Sequence, residues 1–200
     1  MSSTQSDLTG KSLNSLAQSL QAGKVYRRED LTKFSTAIDR HLRELLNNGY
    51  LKKLAQGLYY SPRKSRFGSL PPSDSDLVST FLRDSHFLIF SPSNYNSLGL
   101  GTTQLYNTTY VYNHKRHGRF TFGNRALDFR VKSRFPEKIS DEFLFVDLLN
   151  NLGELAEDKV AILALARSHQ ALFNRAEYQR ALLAYGSVAT KKMVMEWRDA

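Results

Sequence analysis

Two hundred residues with 41% hydrophobic and 12% aromatic content suffice for one generous domain or two small ones, and exclude a disordered chain. A net charge of +9 favours polyanionic partners such as nucleic acid. The absence of cysteine excludes disulfides, thiolate metal sites and cysteine nucleophiles.

The N-terminus "MSSTQSDLTGKS" is polar, without the apolar stretch of a signal peptide, and the longest apolar run, "VAILALA" at 160–166, is too short to span a bilayer. The expected location is therefore cytoplasmic, with no membrane partner. Charge is segregated: 12 basic against 5 acidic residues over 1–72, 8 against 4 over 73–135, and 8 against 10 over 136–200. Any polyanion-facing surface is expected toward the N-terminal end.

In chain order, residues 8–22 predict a first helix, with Leu8, Leu13, Leu16, Ala17 and Leu20 at helical spacing and Gly23 as its stop. Val25 and Tyr26 predict a short extended entry, and Arg28 to Phe34 a second short helix. Ser35 or Thr36 offers an N-cap oxygen for a third helix. On a wheel of about 100° per residue, Ile38, Leu42, Leu45 and Leu46 of that helix share one face, and Thr36, Arg40, Arg43 and Asn47 fall opposite. Gly49 supplies the left-handed conformation on which such helices end. "YLKKL" and "LYYSP" then predict two strands around a turn at Gly57. Three helices followed by a β-hairpin is the order of a winged helix-turn-helix.

"PRKSRFGSLPPSDS" at 62–75 holds three of the five prolines and reads as a linker, so the expected division is a DNA-binding domain over 1–68, a linker over 69–74 and a mixed α/β domain over 75–200. In that second domain "SDLVSTFLRD" predicts a helix, "HFLIF" a buried strand and "SPSNYNSLGL" a capped short helix. "TTYVYN", "GRFTFG" and "ALDFRVKSRF" alternate as strands, and helices are expected over 141–152, 157–168 and about 174–197, the last broken at Gly186. The fold class is thus α+β.

The candidate chemistry is recognition of DNA. Arg40 and Arg43 suit guanine edges or phosphate because a guanidinium donates two parallel hydrogen bonds. Ser35 and Thr36 at the helix start suit phosphate or a thymine methyl, and Asn47 continues the same face. Asp39 opposes this reading, since it repels phosphate unless it accepts from cytosine or pairs with an arginine such as Arg43. Residues 45–73 contain no acid and five bases, Lys52, Lys53, Arg63, Lys64 and Arg66, the composition of a wing on a phosphate backbone. Gln56 at the wing tip is the groove candidate. Arginines opposite an apolar stripe also describe the solvated face of an ordinary helix; it is their conjunction with the wing and the acid-free run that favours nucleic acid.

At "LLNNGYLKKLAQGLYYSPRKSRFGSLPP" the sequence resembles the N-terminal winged helix of AbiE-type antitoxins, the antitoxin component of type IV toxin–antitoxin systems. "SPSNYNSLGLGTTQ" at 91–104 looks like a second element of that family, although Leu105 and Tyr106 follow where the family commonly continues Val-Pro. The resemblance implies a transcriptional repressor that binds an inverted repeat in its own promoter, as two copies on double-stranded DNA. It further implies a second domain that opposes a nucleotidyltransferase-type toxin. A protein- or RNA-binding adaptor is the alternative.

Other motifs are weaker. "GLGTTQ" lacks the third glycine and the strand-to-helix setting of a dinucleotide loop. His114 and His117 have a ligand-like spacing, but Lys115 and Arg116 between them disfavour a cation; "HKRHGR" reads as an exposed basic hairpin, with a second nucleic-acid contact as its functional reading. No nucleophile elbow, zinc-protease helix or Walker loop is present, so neither enzyme activity nor a cofactor or metal is expected; a metal-dependent nuclease on Asp128 or Asp141 is the enzyme alternative.

Overall fold

A computed structural model of the protein describes residues 11–66 and 68–199, the last two through their backbone. The fold is mixed α+β, and the chain divides into two compact units. The first comprises residues up to Ser85 together with Phe120–Ala126, and the second comprises His86–Arg119 and the chain from Leu127.

The first unit opens with α1 (Lys11–Ser19), β1 (Val25–Arg27), α2 (Arg28–Leu31), a 3-10 turn and α3 (Ile38–Asn47). The expected Leu8 contact lies outside the described residues. Helix α1 ends three residues before the predicted 22, where the Ser19 hydroxyl donates to the Leu16 carbonyl (2.7 Å) and the Leu20 amide to Ala17 (3.2 Å). Such side-chain and i→i−3 bonds close the last turn and release the chain. Leu13, Leu16, Leu31, Ile38, Leu42, Leu45, Leu51 and Tyr59 form one buried cluster, with Leu46 half-buried against it, so the apolar stripe of α3 does pack inward.

Strands β2 (Lys52–Ala55) and β3 (Leu58–Tyr60) form the expected hairpin, its turn made possible by Gly57 at φ +70°. With β1 they make an antiparallel sheet in the order β1-β3-β2, in register Tyr26↔Tyr59 and Lys53↔Tyr59. A bulge interrupts β2 between Lys53 and Ala55.

Residues 63–65 and 68–70 are not a structureless linker. They form a second hairpin, β4 (Arg63–Ser65) and β5 (Gly68–Leu70), anchored at its base by the Tyr60 hydroxyl, which donates to the Leu70 carbonyl at 2.7 Å. The first unit also runs past the expected 69–74 boundary to include α4 (Asp74–Leu82). Arg27 of β1 explains this: its guanidinium donates to the carbonyls of Thr80 and Phe81 (2.8 and 2.6 Å) at the end of α4. Residues 120–126 join the same unit because Phe120 and Phe122 pack on Phe81, Gly123 donates to the Leu54 carbonyl and Arg125 pairs with Asp74.

The second unit holds β6 (Leu88–Phe90), a 3-10 segment (Pro92–Leu98) where a short helix was expected, and β7 (Tyr110–Asn113). Strands β8 (Gly118–Phe122) and β9 (Arg125–Val131) follow in the chain, with residues 120–126 counted in the first unit, and the four-stranded sheet has the order β6-β7-β9-β8. Strand β7 runs antiparallel to β6 and parallel to β9. Four helices complete the chain: α5 (Asp141–Asn151), α6 (Lys159–His169), α7 (Arg175–Tyr185) and α8 (Val188–Asp199). Helix α5 is buried along nearly its whole length. The expected break at Gly186 is real and tight, since a Cβ there would lie 2.5 Å from the Leu182 carbonyl oxygen. No helix among the described residues is long and apolar enough to cross a membrane.

Candidate nucleic-acid interface

The outer face of α3 carries Thr36 just before the helix, then Arg40, Arg43 and Asn47, all exposed. Ser35 does not belong to it. Its side chain is buried, its hydroxyl is 2.7 Å from Nδ1 of the buried His41 and it accepts the Ala37 amide at 3.1 Å. The helix accordingly begins at Ile38 with no side-chain cap, instead of on an oxygen of Ser35 or Thr36. A buried imidazole needs partners: Ser35 meets Nδ1, and the Arg40 guanidinium lies 3.3 Å from Nε2.

Asp39 is compensated by a residue that the sequence did not single out. Arg28, at the start of α2, makes a bidentate pair with it, Nε to Oδ1 and Nη2 to Oδ2, each at 2.7 Å. The hydrogen bond from Arg28 holds the Asp39 carboxyl below the usual carboxylate range and raises the guanidinium in turn. Arg43, the expected partner, reaches only the Asp39 carbonyl at 3.4 Å. No periodicity links positions 28 and 39, so only an odd arginine at a helix start was available as a signal.

The remaining acids of this region are handled in the same way. Glu29 and Asp30 both face Arg83, and Glu44 lies 3.9 Å from Arg40. Every acid among the described residues before position 73 therefore has an arginine beside it. Each such pair is locally near neutral, so the positive charge of this stretch is carried by the basic residues outside these pairs.

In the hairpin, strand parity divides the two lysines. Directly paired residues of an antiparallel ladder project to the same side, and adjacent residues to opposite sides. Lys53 pairs with Tyr59, which packs into the helical core, so Lys53 lies on the helix side. Lys52 pairs with Tyr60, whose hydroxyl bonds to β5, and so lies on the other. Both are exposed, and the Lys53 ammonium donates to the exposed Gln56 at the turn (3.1 Å). Arg63, Lys64 and Arg66 are exposed on the second hairpin and its tip.

In the second unit the structure reveals a buried polar cluster. Asp147 of α5, 2% exposed, accepts from the hydroxyls of Tyr95 (2.7 Å) and Tyr112 (2.9 and 3.0 Å). Asn151, one turn on, donates to the Tyr112 oxygen (3.1 Å) and accepts from Arg130, which lies over the Tyr110 ring and pairs with Asp128 and Glu154. Burial raises the Asp147 pKa against the opposing pull of the two tyrosines. Burial, then the neighbouring Asp147 charge, pushes both tyrosine hydroxyls far above their ordinary range, so they stay protonated donors. An isolated aspartate in an apolar helix was the only sequence signal. Asp128 is held by Arg130, Asp141 sits in the first turn of α5, and no group of three potential ligands gathers among the described residues.

Comparison of the chain with known protein families, curated proteins and solved structures finds no match.

Proposed function

We propose that the first unit is a winged helix-turn-helix that binds double-stranded DNA, with α3 in the major groove and the β2–β3 hairpin on the adjoining backbone. The observation that carries this reading is the Arg28–Asp39 pair: of the two acids bordering the outer α3 face, Asp39 is charge-compensated from outside the face and Glu44 lies beside Arg40, so Thr36, Arg40, Arg43 and Asn47 present a surface to a groove with no uncompensated acid at its margin. Lys53 and Gln56 extend that surface, and Arg63, Lys64 and Arg66 add phosphate contacts from the second hairpin. Lys52 contributes long-range charge rather than a contact alongside α3. The protein has no catalytic role in this reading and requires no cofactor.

The wider role rests on the family resemblance. It is that of an autoregulating repressor, acting as two copies on an inverted repeat, whose second unit opposes a nucleotidyltransferase-type toxin. Titration of the wild type and of Arg40→Ala/Arg43→Ala against the chain's own promoter fragment and a scrambled duplex tests the DNA assignment. Each lost bidentate base contact should cost about 1–3 kcal/mol of discrimination. Equal discrimination by wild type and variant would remove α3 from the reading role. Co-expression with the neighbouring gene tests the toxin link: the chain should restore growth that the neighbour alone arrests.

A further inference from the structure

The connection from β7 to β8, "NHKRHGR" at 113–119, takes no part in the reading above. Its backbone is fixed from beneath by Asn113, 1% exposed, whose Oδ1 accepts the amides of Lys115 (2.8 Å) and Arg116 (2.7 Å). Its Nδ2 donates to the carbonyls of Val111 (3.1 Å) and Arg116 (3.0 Å), and its own carbonyl accepts from Lys132 (3.0 Å). The turn closes on Gly118 at φ +109°. A loop held this way pays little ordering cost on binding.

The loop exposes Lys115, Arg116, His117 and Arg119, and the chain contains no acid between Asp84 and Asp128. At its base the exposed rings of His86 and His114 lie parallel, 8° apart with centroids separated by 5.1 Å. Both rest on the buried Phe135, at 4.7 and 4.9 Å. Flat, exposed, supported rings beside a fixed cationic loop are the two parts of a site for unpaired bases on a phosphate backbone. A duplex would use the cations alone, because its bases are already stacked.

We infer that this face of the second unit binds single-stranded nucleic acid, with a base on the His86–His114 platform and the backbone phosphates along Lys115, Arg116 and Arg119. The inference is independent of the winged-helix reading, and the full-length chain tests it by fluorescence anisotropy with a labelled dT12, an abasic 12-mer and a duplex at 50 and 200 mM salt. Arg40→Ala/Arg43→Ala/Lys53→Ala should bind dT12 like the wild type. On that background Lys115→Ala/Arg116→Ala/Arg119→Ala should reduce the slope of log K against log salt by about 2, at about 0.7 per contact. His114→Ala should weaken dT12 about tenfold and leave the abasic strand unchanged. Unaltered circular dichroism melting, with Asn113 retained, separates these effects from misfolding. Loss of dT12 binding in the α3 variant, an unchanged slope in the loop variant, or equal effects of His114→Ala on dT12 and abasic strands would each overturn the inference.

Discussion

Lys52 and Lys53 are adjacent and both exposed, yet replacing each by alanine should have different consequences for duplex binding. Lys53 shares the side of the sheet occupied by Tyr59 and the helical core, and Lys52 shares the side of Tyr60. A phosphate backbone lying alongside α3 therefore meets Lys53. A neutralised phosphate contributes about 0.9 to the salt slope for B-DNA, so Lys53→Ala should lose about that much. Between 50 and 200 mM salt this means that the variant's affinity falls about 3.5-fold less than the wild type's. The bond from Lys53 to Gln56 is exposed and exchanges readily with water, so it should not mask the effect. Lys52→Ala should leave the slope within about 0.3 of wild type, since only screened long-range charge is removed. Anisotropy titrations of one promoter duplex at four salt concentrations provide the measurement. Equal slopes for the two variants, or a larger loss at Lys52, would refute the assignment of faces.

Arg28→Ala should weaken duplex binding more than the loss of one cation implies, because it also leaves the Asp39 carboxylate uncompensated; Arg28→Ala/Asp39→Asn should recover part of the loss in the same titration. The folded pKa of Asp39 lies below its unfolded value, so the pair's contribution to stability is present above about pH 3.9 and fades as pH falls through the lower folded value. The stability gap between wild type and Arg28→Ala in urea should shrink accordingly, and a gap that widens in acid would contradict the pairing. Asp147→Ala should destabilise the protein by about 3 kcal/mol, since it strands the Tyr95 and Tyr112 hydroxyls in a buried site; a loss below about 1 kcal/mol in urea denaturation would show that the cluster repacks. Gly186→Ala should cost about 1–3 kcal/mol by forcing a methyl against the Leu182 carbonyl, and an unchanged Tm would show that the α7–α8 corner yields freely.

Local patterns were legible wherever a backbone period or a special dihedral set them. The stripe Ile38, Leu42, Leu45 is buried as the helical period requires, and Gly57 and Gly186 mark the turn and the break that were expected. The reading of residues 62–75 as a linker failed because prolines bracket the segment, while the hairpin between them is held by Tyr60, ten residues before its partner Leu70. Ser35, expected at the helix start as a cap or phosphate contact, turns inward instead because the buried His41, six residues on, takes its hydroxyl.

By itself the sequence determined the α+β class, the basic N-terminal half and the amphipathic third helix, because composition and short-range periodicity act through the chain's own geometry. Only the tertiary structure decided which arginine answers Asp39, which of two neighbouring lysines stands on the helix side, and how two tyrosines, 52 and 35 residues away, enclose Asp147. Those pairings depend on where loops return the chain, and loop closure costs entropy that only the assembled core repays.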